Sequence, residues 1–244
     1  IFDNNDRPGI LLSSAIKKYA DLFGVSCGEK NIFFTNNDSA YETAISLIQK
    51  GINVKAIIDN REEVDSKLVY EIEKNNVDVY KGYTVIDTHG YKRINKISIM
   101  QLSKDGQKVI GSKKELSCDC LGISGGWTPA VHLFTQSGGK LKFREEDQVF
   151  IPNTYPSDQL SIGACNGDFT LDTIFSNVPK LLKNFLDIKD IEYENAEVLS
   201  SFNKSKRNIW LLPSDKILGK TKSFVDYQND ATAKDIKLAL REGF

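Results

Sequence analysis

The sequence runs to 244 residues, 40% of them hydrophobic and 27% charged, with 32 Lys and Arg against 33 Asp and Glu and a formal net charge of -1. Such a chain can bury a sizeable core, but it has no overall positive field to attract a phosphate backbone and no run near the roughly 18 apolar residues that span a bilayer. Nucleic-acid and membrane partners are therefore set aside, and a cytoplasmic location is expected. Four scattered cysteines, Cys27, Cys118, Cys120 and Cys165, make no disulfide framework at this length, and two histidines make no His-based metal site. The chain opens on Ile1, with the turn-like Asn4-Asn5-Asp6-Arg7-Pro8-Gly9 almost at once, which reads as a piece of a longer polypeptide.

From Gly9 to Gly24 apolar residues recur near helical spacing, and Gly24 is placed to end the helix. Asn31 to Thr35 is short, apolar and β-rich. Asp38 to Gly51 follows with Ala40, Ala44, Leu47 and Ile48 on one helical face and Asp38 or Ser39 as its cap. Val54 to Ile58 reads as a second buried strand, ending in Asp59. Strand, helix and strand within about 30 residues make a βαβ unit, whose ligands lie at the C-terminal ends of the strands. A helix over Val64 to Asn75 and a strand over Val77 to Tyr80 continue the rhythm. From Gly82 to Leu116 it changes to short β segments, Tyr83 to Ile86, Ile94 to Leu102 and Lys108 to Ile110, with turns at His89-Gly90 and Asp105-Gly106; this predicts an antiparallel meander. Cys120 to Ser124 returns as a strand, meets Gly125-Gly126 and runs through Trp127-Thr128-Pro129 into a helix ending near Gly138-Gly139. Farther on, Leu160 to Gly163 and Ile209 to Leu212 read as strands and Phe169 to Leu186 as a helix interrupted at Pro179. The last helix has Thr232 as its cap, with Asp235 three residues on.

The region that carries chemistry is Thr35-Asn36-Asn37-Asp38-Ser39, between strand and helix, with Asp59 ending the next strand. Dinucleotide sites use this geometry: N–H groups at the helix start hold the pyrophosphate, and the acid on the second strand takes the ribose hydroxyls. Asp59 favours NAD over NADP, and Arg61 weakens that preference. Asn36 and Asn37 stand where glycines are expected. Asn tolerates positive φ, but its side chain obstructs the approach of a diphosphate. A live nucleotide site and a Rossmann-like scaffold both remain open on these residues. Gly125-Gly126 offers a backbone that a nucleotide can approach closely. His89 is expected in a β turn and His132 on a helix face, so neither is assigned as a base and no catalytic residue is named. Cys118-x-Cys120 places both thiols on one face of an extended segment without two further metal ligands.

Asp38-Ser39-Ala40-Tyr41-Glu42 resembles the second nucleotide-binding domain of two-dinucleotide-domain flavoproteins of the thioredoxin-reductase-like group, where Gly-Gly-Gly-Asp-Ser-Ala-x-Glu opens the pyridine-nucleotide helix. Cys118 to Pro129 resembles that group's strand and Gly-x-x-Pro turn, and Leu160-Ser161-Ile162-Gly163-Ala164 its late flavin-contacting Gly-Asp segment. The resemblance implies an α/β fold: a Rossmann-like NAD(P)-binding domain of the thioredoxin reductase type with a β-meander insert, plus part of a second FAD/NAD-type domain. The expected divisions are 1–24 as a lead-in segment and helix, 25–150 as the Rossmann-like domain, 151–222 as the returning part of the first domain, and 223–244 as the start of a small helical segment without iron-sulfur cysteines. A disulfide reductase of this group needs a Cys-x-x-Cys pair, and the comparable region offers only Cys27.

Within that group Asp3 to Gly9, Phe34 to Tyr41, Ser124 to Ser137 and Phe224 to Asp235 are similar to the α subunits of heterotetrameric sarcosine oxidases. That resemblance implies oxidative demethylation of sarcosine to glycine, with formaldehyde captured on tetrahydrofolate and electrons passed to oxygen. It implies a flavin held mainly by the β subunit, a second flavin (FAD or FMN) at the α/β boundary, and NAD bound by α. Thr35, Asn36, Asn37, Asp38, Ser39, Asp59, Gly125 and Gly126 then become the nucleotide-binding set, and Gly163 and Ala164 the flavin-contacting pair. The sequence departs from the family's pattern at Ala164, where an Asp is expected, and lacks the N-terminal dinucleotide fingerprint and the folate domain, so it reads as the middle of an α subunit. NAD in the family can instead occupy the first dinucleotide fold. The alternatives are a subunit of a related amine or proline dehydrogenase, where Asp226 and Gln228 replace the expected Cys-x-Cys, or a degenerate Rossmann module kept for assembly.

Overall fold

Alternation along the apolar strands decides which side of the sheet each residue serves. In chain order the elements are β1 (Ile10–Leu12), α1 (Ser13–Phe23), β2 (Asn31–Thr35), α2 (Ser39–Gln49), β3 (Val54–Asp59), α3 (Ser66–Glu73), β4 (Asp78–Lys81), β5 (Tyr83–His89), β6 (Lys96–Leu102), β7 (Val109–Ser117) and β8 (Cys120–Ser124). Five of the strands form one parallel sheet in the order β1-β8-β2-β3-β4, and β5-β6-β7 forms a separate antiparallel sheet. Phe33 and Ile57 face one way, into a cluster with Ile16, Tyr41, Leu47 and Ile72 from the helices. Ile32, Phe34 and Ile58 face the other way, onto Val85, Ile97 and Ile99 of the meander. The sheet is therefore covered by helices on one face and by the meander on the other, which is why every residue of β2 is buried.

The computed structural model describes residues 1–156, 158–186, 209–216 and 221–244. They fall into two units, one with Ile1–Gly125 and Ile209–Phe244, the other with the described residues from 126 to 186. In the first, the Asp3–Gly9 turn ties distant segments together. Asp3 accepts hydrogen bonds from Ser214 Oγ (2.9 Å) and Ser223 Oγ (2.8 Å), Asn5 exchanges two bonds of 2.8 Å with the Phe224 backbone, and Asn4 Nδ2 donates to Asp87 at 2.7 Å. The unit ends in β11 (Phe224–Asp226), β12 (Ala231–Thr232) and α6 (Ala233–Glu242), where Thr232 and Asp235 form the expected capping box. In the second unit, α4 (His132–Gln136) precedes an antiparallel hairpin of β9 (Lys140–Arg144) and β10 (Val149–Thr154), a 3₁₀ turn (Gly163–Asn166) and α5 (Leu171–Leu186).

Several sequence expectations are corrected. Ile10 to Leu12 is a strand rather than the first turn of a helix, because Ile10, Leu11 and Leu12 pair with Leu121, Gly122 and Ile123. Gly24 does close α1, in the left-handed conformation. His89 ends β5, its Nε2 2.8 Å from Ser98 Oγ, rather than sitting in a turn. Leu160 to Gly163 is not a strand: Gly163 at φ +77° turns the chain into the 3₁₀ turn. Among the described residues Ile209 to Leu212 joins no ladder; Ile1 N donates to Trp210 O and Leu212 N to Ile1 O. The β9–β10 hairpin was not anticipated, since its alternation is masked by Lys140, Lys142 and Arg144; it is held by Phe143 against Phe150 at 5.1 Å. Cys118 and Cys120 do not share a face. The chain turns at Asp119, whose carboxylate accepts from Glu29 N and Lys30 N, and sends Cys118 into the meander-side cluster and Cys120 into the helix-side one.

Candidate functional site

Thr35 ends β2 in register with Asp59 of β3 on one side and Ser124 of β8 on the other. The loop into α2 therefore lies at the C-terminal ends of three adjacent parallel strands, where open α/β sheets bind ligands. Thr35 Oγ1 accepts from Asn37 N at 3.1 Å and lies 2.9 Å from Asn37 O. Asn36 N donates to Ser124 O at 3.3 Å, and Asn36 Nδ2 donates to Gly125 O at 3.0 Å. Asn37 is fully buried. Its Nδ2 donates to Ser124 O (3.0 Å) and Asn36 Oδ1 (2.9 Å), and its Oδ1 accepts from Ser39 N (3.1 Å) and Ser39 Oγ (2.6 Å). The helix is thus capped by Asn37, and neither Asp38 nor Ser39 performs the role expected from sequence. Asp38 has helical dihedrals and makes no capping bond. Nor does either Asn adopt positive φ; both make side-chain hydrogen bonds rather than a strained turn.

The Asp38 carboxylate instead accepts from Arg61 Nη1 at 2.8 Å. Asp59 takes Arg61 Nη2 on Oδ2 (2.8 Å), with Arg61 Nε at 3.1 Å from Oδ1, and its Oδ1 also accepts the Arg61 backbone N–H at 2.9 Å. All three residues are buried, Asp59 completely. Burial pushes the Asp59 carboxyl up, and the bonds from Arg61 offset only part of that push. For Arg61 burial acts downward, but the two carboxylates outweigh it and hold the guanidinium charged. The buried hydroxyl of Tyr41 makes no hydrogen bond of normal geometry, and burial, then the Asp59 carboxylate, push its phenol up.

Thr35, Asn36, Asn37, Asp38, Ser39, Asp59 and Gly125 therefore come together in the first unit. Gly125 is exposed and its carbonyl holds Asn36. Gly126, at φ +128°, begins the second unit, which also holds Gly163 and the exposed Ala164 in its 3₁₀ turn. Ala164 presents no carboxylate to a flavin ribityl chain. The residues at the β2–α2 loop do not fit a dinucleotide as they stand: the amides of Asn36, Asn37 and Ser39 are engaged internally, and Asp59 already faces a cation. Sequence reasoning missed the joining of Asp38 and Asp59 through Arg61. The signal was an acid ending a strand with an arginine two residues later, within reach of a second acid at a helix start. Beside the loop, a cleft of about 240 Å³ is lined by Phe2, Phe34, Asn36, Asn60 and Trp210 among others.

No family model matches the sequence. Over its full length the chain is 31% identical, across 250 aligned positions, to the sarcosine oxidase subunit alpha of Corynebacterium sp. (strain P-1), and 28% identical, across 253, to that of Rhizobium meliloti (strain 1021). It spans 25% and 23% of those two proteins, about a quarter of their length. Among solved structures it is similar to L-proline dehydrogenase from P. horikoshii (TM-score 0.54, 15% identity, 100% of this chain and 43% of that one). It is also similar to T. acidophilum thioredoxin reductase (TM-score 0.51, 16% identity, 76% of this chain and 60% of that one). At these identities the structural likeness is one of fold, and it is the thioredoxin-reductase-type α/β fold that the sequence motifs imply.

Proposed function

Starting from a relation to sarcosine oxidase α subunits that runs through the whole chain, we propose that this protein is the central segment of the α subunit of an amine-oxidising flavoprotein complex. The reaction of that complex is demethylation of sarcosine to glycine, with a β subunit as principal partner. The observation that carries this reading is the 31% identity over all of the chain rather than over one Rossmann unit. In the complex FAD or FMN supplies the electron acceptor, and formaldehyde passes to tetrahydrofolate on another part of the subunit.

This segment's own contribution is positional. The sheet presents the C-terminal ends of β2, β3 and β8 as a fixed platform, and the Asp3–Gly9 turn holds the segments around Ser214, Ser223 and Phe224 to that platform. His89 Nε2 lies 2.8 Å from Ser98 Oγ within the meander, and no catalytic role is assigned to it. NAD in the complex is then held outside the β2–α2 loop of this segment. The test is sarcosine-dependent oxygen uptake by the tagged protein isolated with its partners, run beside the isolated chain, with L-proline as the competing substrate. Uptake with sarcosine only in the assembled form supports the reading. Turnover by the isolated chain overturns it, and turnover with L-proline alone assigns the complex to the dehydrogenase branch.

A further inference from the structure

We propose that the dinucleotide loop of this Rossmann unit is occupied by the chain's own side chains, with Asn37 in the place of a diphosphate and Arg61 in the place of a ribose, so that the unit binds no dinucleotide. The inference stands apart from the identity of the substrate, because it concerns one loop and its internal bonding.

Four observations converge on it. A helix N-terminus leaves N–H groups unpaired, and a dinucleotide site spends them on phosphate oxygens. Here Ser39 N–H is bound to Asn37 Oδ1, Asn37 N–H to Thr35 Oγ1 and Asn36 N–H to Ser124 O. The space is filled as well as the donors: the Asn37 side chain is fully buried and reaches across to Ser124 of β8, where a glycine would leave room for phosphate. Charge opposes an anion, since among the described residues Asp38 and Asp59 set two carboxylates against the one guanidinium of Arg61. Finally, both oxygens of Asp59 are committed to Arg61, and freeing them for ribose hydroxyls strands Asp38 and Asp59 together in a buried site. A loop closed in this way keeps the helix start capped and the three strand ends aligned without a cofactor.

The test uses the 244-residue chain titrated calorimetrically with NAD, NADP and ADP-ribose, with amide hydrogen exchange of the Asn36 to Glu42 segment followed in parallel. The expected result is no saturable heat below about 1 mM, and slow exchange of the Asn37 and Ser39 amides that nucleotide leaves unchanged. Asn37→Ala is expected to lower Tm by roughly 4–10 °C, since each kcal/mol moves a domain of this size by a few degrees. Saturable binding that Asn37→Ala or Asp59→Asn weakens overturns the proposal. Binding that neither variant changes supports it, because the nucleotide then sits elsewhere on the chain. An unchanged Tm in Asn37→Ala also overturns it. If the variants do not fold, exchange in the wild type decides: fast amides that NAD slows overturn the closed loop, and slow amides indifferent to NAD support it.

Discussion

Replacing Arg61 by methionine isolates the buried charge network. Met retains much of the length and apolar stem of Arg but removes the guanidinium that bridges Asp38 and Asp59. Breaking a buried ion pair by removing one partner costs about 3–5 kcal/mol, because the remaining charge is left without compensation. Here two carboxylates are left, and the total stability of a domain is only about 5–15 kcal/mol. The midpoint of thermal unfolding should therefore fall by roughly 6–20 °C. The loss should depend on pH in a definite direction. Burial already pushes Asp59 up in the presence of Arg61, and losing the guanidinium removes the two strongest influences that oppose that push. Between the ordinary carboxylate value of about 3.9 and the raised folded value, the folded variant holds a proton that the unfolded chain releases, so its stability falls as pH rises. Denaturant titrations at pH 7 and pH 5 should show the variant regaining part of its deficit at the lower pH. A variant as stable as wild type at pH 7, or one that weakens further at pH 5, would refute the reasoning.

Three other outcomes follow from the geometry. Asp3→Ala leaves Ser214 and Ser223 without their shared acceptor and should cost about 1–3 kcal/mol, with faster proteolysis near 214–223 as the local readout. Thr232→Ala removes the capping box of α6 and should cost about 1 kcal/mol, seen as faster amide exchange over its first turn while the sheet is unaffected. Burial pushes Cys118 and Cys120 up to about 12, so at pH 8 a thiol-specific dye should label the half-buried Cys27 and Cys165 in the native chain and all four cysteines in denaturant. Native labelling of Cys118 or Cys120 would contradict their burial.

Much of the parallel sheet was legible because its strands are short apolar runs bounded by turn residues, and Cys120 to Ser124 has the bounds that the sequence predicts. The meander was legible from alternation, and the α6 cap from Thr232 and Asp235. What failed depends on contacts remote in sequence. Ile10 to Leu12 has helical spacing, yet pairing with residues 121–123 outweighs it. Opposite burial of Cys118 and Cys120 follows from Asp119 reaching back to residues 29 and 30. At the loop, Asn36 and Asn37 read as obstructions, but the capping by Asn37 and the hold of Asn36 on Gly125 could not be read without β8 beside them. The same holds for Arg61, whose carboxylate partners Asp59 and Asp38 lie 2 and 23 residues away.

The position of β8 sets a timetable for synthesis. Among the described strands β1 pairs with β8 alone, and β2 has β8 on one of its two sides, so neither can be completed until residues 120–124 have been made. About 85 residues separate the end of β2 from the start of β8, and at roughly 5–20 residues per second their translation takes on the order of ten seconds. Throughout that interval the Asn31–Thr35 edge is unpaired on one side. The meander, whose pairings are all local, can form meanwhile and cover one face of the apolar strand. Lengthening the chain between β7 and β8 would prolong the exposure of that edge, so the direct connection of Cys118 and Asp119 limits how long the nascent sheet stays open to a second chain.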